Sequence, residues 1–289
     1  MQGDGASRQS IEFHYDAGRD FYKLWLDERM AYSCALWPDG SFDDDLEAAQ
    51  VAKLAWHVES ARARGARRVL DVGCGWASML RYLVDEAEVG KATGLTLSPD
   101  QADTVSGWCD PRVEVLLEDW RDHRPGEAYD AIVSIGAFEH FTRRGLSDAE
   151  RRSVYGEFFD RCAGWLRPDG RLSLQTIAYE DASDREGPIA AFFSEDIFPD
   201  SELPKLSDIV VAGEEHFRFL GLRSDAAHYE RTLHLWQRRL ECRKDEATAL
   251  VGRDTYRRYM RYLRVSRAMF DRRVCTLYRM TLERRAPAS

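Results

Sequence analysis

Apolar residues recur along this chain with two different periods. From residue 12 to residue 62 the spacing reads as helical, interrupted at Ala17-Gly18 and at Trp37-Pro38-Asp39-Gly40. Asp43 to Asp45 offers an N-cap, after which Leu46, Ala49, Val51, Lys53, Leu54 and Val58 follow an approximate helical repeat. Beyond residue 62 short apolar runs alternate with helical stretches. Arg68 to Val72, Lys91 to Leu97, Val113 to Leu117, Ala128 to Ile135 and Arg171 to Ile177 read as strands, the last entered through Pro168-Asp169-Gly170. Asp148 to Leu166 reads as a helix between the fourth and fifth. This alternation predicts a doubly wound, mostly parallel sheet with helices on both faces.

The pattern changes after Ile177. Residues 180 to 212 are apolar and punctuated by proline (Phe192, Phe193, Ile197, Phe198, Pro199, Leu203, Pro204), which suits an insertion capping a site. A sixth strand near Phe217 to Leu222, helices over 230–246 and 252–270, and a closing antiparallel strand from Val274 to Leu282 complete a seven-stranded α/β fold. We therefore read residues 1–62 as an N-terminal helical segment covering the site and 63–289 as the core.

Composition narrows the classes. With 289 residues and 44% apolar content the chain can bury a large core. No apolar run approaches the roughly 18 residues of a membrane span, and Met1 to Ser10 lacks the apolar stretch of a signal peptide. A cytoplasmic protein is expected. The six cysteines are scattered without a C-x-x-C pair, which predicts free thiols and no metal. A net charge of −9 disfavours nucleic acid as partner, yet it conceals an asymmetry. From Arg231 onward 16 Lys and Arg face 6 Asp and Glu, a local +10 against −19 for the first 230 residues. Such a basic region can select an anionic partner at short range.

The motif with the clearest chemistry is Val69-Leu70-Asp71-Val72-Gly73-Cys74-Gly75-Trp76-Ala77. A strand delivers an acid and two glycines into a helix start, so the backbone can turn tightly and approach a ligand. A dinucleotide site would show a third glycine and a carboxylate closing the second strand. Here the third position is Ala77, and the second strand ends Thr96-Leu97-Ser98. S-adenosylmethionine (SAM) fits better than NAD.

Ordered motifs along nearly the whole chain then resemble the cyclopropane fatty acid and mycolic acid cyclopropane synthases, a family of SAM-dependent methyltransferases. They are His14-Tyr15-Asp16 with Phe21-Tyr22 and Tyr32-Ser33-Cys34, the Val69 to Trp76 segment with Leu97 to Gln101, and Ser134 to Phe141. Ile197-Phe198-Pro199 with Leu203-Pro204, and His228-Tyr229 with Thr232 and Trp236, continue the series. The resemblance implies a class I, Rossmann-like fold. It also implies that Tyr32 and Ser33 hold the methionine carboxylate and that Gly73 and Gly75 hold the methionine portion and ribose. Thr96 and Gln101 would reach the ribose or adenosine, and Trp120, after Asp119, would pack on adenine. Asp71, Trp76, Leu97 and Ile135 would complete the cofactor site.

For the chemistry, the resemblance implies attack of an alkene on the sulfonium methyl and loss of a proton from the carbocation to a bound bicarbonate. The matching ligands are Cys34 and Ile177 through backbone groups, Glu139, Gln175 and Tyr229. Gln175 departs from the family, which carries histidine there; an amide donates to an anion but carries no proton. Ring formation, a methyl branch, an exocyclic alkene and methylation of another nucleophile, as on a specialised metabolite, are the outcomes this departure leaves open; a SAM-binding cyclase without methyl transfer is the separate alternative. The stripe Arg253, Arg257, Arg261 and Arg264, opposite Tyr256, Tyr259, Leu263 and Phe270, reads either as a solvated helix face or as a dock. A dock would take an acidic carrier protein or a lipid headgroup at a peripheral membrane surface, presenting an apolar substrate.

Overall fold

A computed structural model describes residues 17–180 and 201–286. In chain order the elements are α1 (Arg19–Tyr22), α2 (Leu46–Ala61), β1 (Arg68–Val72), α3 (Ser78–Asp85), β2 (Lys91–Thr96), α4 (Pro99–Ser106), β3 (Val113–Leu117) and β4 (Tyr129–Ile135). There follow a 3-10 turn (Phe138–His140), α5 (Asp148–Trp165), β5 (Leu166–Tyr179), α6 (Leu206–Gly213), β6 (Phe217–Ser224), α7 (Ala226–Cys242), α8 (Lys244–Asp271) and β7 (Cys275–Arg284).

The seven strands form one sheet in the order β3-β2-β1-β4-β5-β7-β6, with β7 antiparallel to both neighbours. Strand order reverses between β1 and β4, and the crevice at such a reversal is where open α/β sheets bind ligands. Each face of the sheet is covered. Leu54 and Val58 of α2 and Met79, Leu80 and Leu83 of α3 pack on Val69, Ala131 and Val133. Phe158 and Phe159 of α5 and Ile209 of α6 pack on Leu70, Ile132, Leu172 and Leu282. A third apolar cluster joins the N-terminal segment to α7 and α8. No described helix is long and apolar enough to cross a membrane.

Local chemistry explains several boundaries. Asp45 caps α2 by accepting from the Ala48 N–H, and Ser147 and Glu150 form a reciprocal capping box on α5. Gly252, at φ 81°, kinks α8 where the sequence predicts a helix start. Two expectations change. Residues 23–45 are not helical apart from turns; their backbone is fixed by side chains of the segment itself and of distant elements. Asp27 accepts from Ala31 N–H, Gln50 donates to the carbonyls of Ala31 and Ser33, and Thr232 and His228 accept from the N–H groups of Ala35 and Trp37. β5 begins at Leu166, five residues earlier than expected, because Leu166 pairs with Tyr129 across a register shift. Much of the predicted cap, 181–200, lies outside the described residues, as do His14, Tyr15 and Asp16.

The β1 turn has little tolerance. Gly73 has φ 82°, and a Cβ there would lie 2.4 Å from the Cβ of Ala137, after β4. Gly73→Ala combines left-handed strain with overpacking and should lower stability by about 2–4 kcal/mol in urea titration. Adding Ala137→Gly should recover only the overpacking share, about 1–3 kcal/mol. Strictly additive effects would show that the two positions do not collide.

Candidate active site

The carboxyl ends of β1 and β4 and the loop before α2 enclose a cleft lined by Met30, Tyr32, Ser33, Lys53, Asp71, Gly73, Cys74, Gly75, Trp76, Ser78, Met79, Ile135 and Gly136. Its empty volume, mouth included, is about 480 Å³. Seven of the expected cofactor residues meet here: Tyr32, Ser33, Asp71, Gly73, Gly75, Trp76 and Ile135.

The cleft has features a ligand would complete. A Cβ at Gly75 would meet no atom within 4 Å, so the turn leaves backbone open to the cleft. Asp71 is 2% exposed, and its Oδ1 has no hydrogen-bond partner. Burial pushes its carboxyl up to about 7, against the pull of Lys53. These groups fit a polar, zwitterionic ligand approaching over glycines.

The remaining expected cofactor residues sit at the ends of β2 and β3, outside that lining. Thr96 Oγ1 donates to Gln101 Oε1 at 2.6 Å, while the buried Gln101 Nε2 has no partner and is left as a donor. Leu97 is half-buried beside them. Asp119 accepts from the Arg121 N–H at 2.9 Å. The Trp120 ring packs on Phe141 and Phe158, and the Arg121 guanidinium lies over it at 4.4 Å.

Five residues were expected at the reacting end. Glu139, on the 3-10 turn after β4, is 3% exposed. Thr176 Oγ1 donates to its Oε2 at 3.0 Å, and the Ile177 N–H also bonds to it. Burial outweighs these bonds and pushes the carboxyl up to about 7. Gln175, on the neighbouring strand, is 1% exposed; its Oε1 accepts from Arg279 Nε at 2.9 Å and bonds His57 Nε2 at 3.2 Å. The Cys34 carbonyl accepts from Arg279 Nη2 at 3.0 Å, while burial pushes the thiol up to about 11. The buried Tyr229 ring packs on Phe270 and Trp236.

Sequence reasoning missed Arg279, His57, Lys53 and Tyr262. Arg279 and His57 are fully buried partners of Gln175. Lys53, 1% exposed, donates to Ser33 Oγ at 3.0 Å. Tyr32 donates to Tyr262 at 3.2 Å, and burial raises the Tyr262 hydroxyl to about 12. The signal for Lys53 was its phase: it falls within the apolar repeat of α2.

The family model described as mycolic acid cyclopropane synthetase matches residues 4–280. Cyclopropane mycolic acid synthase 2 of Mycobacterium bovis is 34% identical over 95% of this chain and 94% of its own length. The chain belongs to the mycolic acid cyclopropane synthetase family. The solved cyclopropane synthase MmaA2 of Mycobacterium tuberculosis superposes with a TM-score of 0.86 at 31% identity, covering 96% of this chain and 99% of that one. Mycolic acid cyclopropane synthase CmaA1, solved with S-adenosylhomocysteine and CTAB, gives 0.83 at 31% identity, covering 96% and 99%. Hydroxymycolate synthase MmaA4 of Mycobacterium bovis is also 34% identical, over 89% of this chain and 86% of its own. The protein is thus a SAM-dependent enzyme of the methyltransferase type with a Rossmann-like class I fold.

The raised Glu139 carboxyl has a consequence for stability. Its folded value near 7 lies above the ordinary 4.5, so the folded state holds the extra proton between those values. Stability from this group is present at low pH and is lost as pH rises through about 7. Glu139→Gln removes the buried charge and should stabilise the protein at pH 8 by about 1–3 kcal/mol, with little effect at pH 4. Urea unfolding at both pH values measures this, and an equal change at both would refute a buried charge.

Proposed function

We propose that this enzyme transfers the SAM methyl group to an alkene carbon of an apolar, acyl-type chain and that Glu139 organises removal of the proton that follows. Glu139 itself carries the reading. A carboxyl buried beyond the end of β4, fixed by Thr176 and the Ile177 N–H and titrating near 7, is poised to take a proton at neutral pH.

When bound, SAM supplies an electrophilic methyl on a sulfonium. Tyr32, Ser33, Asp71, Gly73, Gly75, Trp76 and Ile135 would hold its methionine and ribose, and Thr96, Leu97, Gln101, Asp119 and Trp120 would hold its adenosine end. Residues 30–33 of the N-terminal segment close one wall of this cleft. The rings of Tyr32 and Trp76 line it, with Tyr22 packed against both at 5.2 and 5.8 Å. Aromatic faces favour positive charge on sulfonium and carbocation. Burial keeps the thiols of Cys34 and Cys74 protonated, so neither competes as a nucleophile for the cation.

Loss of a proton from the added methyl lets its electrons close a ring. That proton is received in a polar pocket built from Glu139, Tyr229, the Cys34 and Ile177 backbone and Gln175. Because Gln175 Oε1 accepts from Arg279 and His57, its amide NH2 is the group left to donate to a small anion such as bicarbonate. A glutamine cannot carry the proton, which leaves the carboxylate and the anion to do so. That departure favours a methyl branch as the second outcome. The exposed Arg253, Arg257, Arg261 and Arg264 of α8 lie opposite buried Tyr256, Tyr259, Leu263 and Phe270, and they dock the anionic carrier or headgroup that presents the chain. On this reading the enzyme works in the cytoplasm, in keeping with the lack of a membrane-crossing helix among the described residues.

Glu139→Gln should lower kcat by about 10²- to 10⁴-fold with SAM affinity nearly unchanged, and Gln175→His should keep or increase any ring product. Incubation of apolar acyl substrates with labelled SAM, read by mass spectrometry and NMR, separates ring from branch. Label arriving only on oxygen or nitrogen would overturn the proposal. For the dock, Arg257→Glu with Arg261→Glu should raise KM for a carrier- or headgroup-linked substrate and weaken its salt dependence, leaving kcat on a truncated neutral substrate unchanged. Unaltered KM would return the stripe to a solvated face.

A further inference from the structure

His57 of α2 is fully buried and does not line the cofactor cleft. Its ring stands edge-on to Trp56 at 4.9 Å, and both of its nitrogens are engaged. Nδ1 lies 2.8 Å from Ser173 Oγ, and Nε2 lies 3.2 Å from Gln175 Oε1. Burial, reinforced by the charges of Arg279 and Lys53, keeps the ring neutral. A neutral imidazole has one N–H to give. The Ser173 hydroxyl can donate or accept, whereas an amide oxygen only accepts, so the proton sits on Nε2. Arg279 Nε, at 2.9 Å, brings a second donor to the same oxygen.

Two donors on one oxygen do what one cannot. The lone pairs of a carbonyl oxygen lie near the plane of its amide. A single donor leaves that plane free to rock about its own N–H···O line; two donors fix the plane and hence where the amide NH2 points. Arg279 forbids the flipped amide, which would set NH2 against a guanidinium that only donates. His57 then removes the remaining tilt. We infer that His57 is a positioning residue for the reaction: with Arg279 it clamps the Gln175 amide so that its NH2 faces the reacting end and donates to a small anion there. This inference rests on the proposed role of Gln175 as an anion donor. It makes residues 57 and 175 one unit, because a histidine protonated on Nε2 requires an acceptor beside Arg279 with a second lone pair.

Nitrogen NMR on the full chain, saturated with S-adenosylhomocysteine and titrated with sodium bicarbonate, tests it. In the unmodified protein His57 should be the neutral Nε2–H tautomer at neutral pH, and bicarbonate should shift the side-chain NH2 signal of Gln175. That signal is identified by its loss in Gln175→Glu, which still accepts from both donors but offers no N–H. His57→Leu removes one donor at similar volume and should weaken bicarbonate by about 3- to 10-fold, as expected for one lost neutral hydrogen bond. His57→Gln places an N–H near the lost Nε2 and should keep bicarbonate affinity within about twofold. Equal losses in the Leu and Gln variants would make His57 a packing residue and overturn the inference. Unchanged bicarbonate affinity in His57→Leu would overturn it too, and so would the Nδ1–H tautomer. The tautomer is read on the unmodified protein, so this last outcome remains decisive if neither variant folds. If bicarbonate left the Gln175 signal of the unmodified protein in place, the anion-donor role itself would fall, and the clamp with it.

Discussion

The guanidinium of Arg279 is fully buried and ties three segments of the chain together. From β7 it donates to Gln175 on β5, to Asp225 before α7, and to the carbonyls of Cys34 and Ala35 in the N-terminal loop. Burial alone would raise the Asp225 carboxyl, but the guanidinia of Arg223 and Arg279 more than reverse this and hold it below its usual range. An arginine withdrawn from water is tolerated only when its donors are satisfied. The loop carrying Tyr32, Ser33 and Cys34 must therefore lie where its carbonyls meet that fork. The cleft wall follows from this constraint.

Around Arg279 the site divides into polar layers with different tasks. On one side a chain of hydrogen bonds runs from Thr281 through Ser60 and Ser173 to His57 and Gln175. Burial and the nearby Arg279 and Lys53 charges keep His57 neutral, its pKa well below the ordinary range. On the other side Glu139 is bonded to Thr176 and Ile177, and burial raises its proton affinity. The same low-polarity surroundings that make these groups expensive to fold also keep water and thiolates away from a cation. Stability and chemistry are opposed at Glu139, as expected where a carboxyl is tuned toward neutral pH.

Strand positions were legible in the sequence because buried parallel strands are short apolar runs ended by glycines or turns. β1 and β3 fall where the pattern put them, and β2 and β4 differ by one residue at an end. The glycine turn was legible for the same reason: Gly73 and Gly75 have positive φ. The segment 23–45 was not, since its aromatic spacing mimics a helix while its backbone is held by Asp27, Gln50, His228 and Thr232. Those bonds also explain why the motifs around Tyr32 and around His228 occur together. Lys53 and Arg279 were hidden because a lysine on a helix and an arginine in a strand are ordinarily solvated.

Gln175 is coherent with its neighbours even though it departs from the family. Arg279 donates only, and nothing at its Nε can be satisfied by another donor. Neutral His57 has one proton to give; Gln175 Oε1 can only accept, so the bond from Nε2 at 3.2 Å needs that proton on Nε2. Position 175 therefore receives two donors from the same side. An amide oxygen has two lone pairs and accepts both, leaving two N–H groups on the opposite face. An imidazole has a single acceptor nitrogen and could serve only one of the two. In this surrounding a glutamine completes the buried network and still offers a donor toward the reacting end. What it withdraws is the capacity to take a proton, so the whole of that burden falls on Glu139 and any anion beside it.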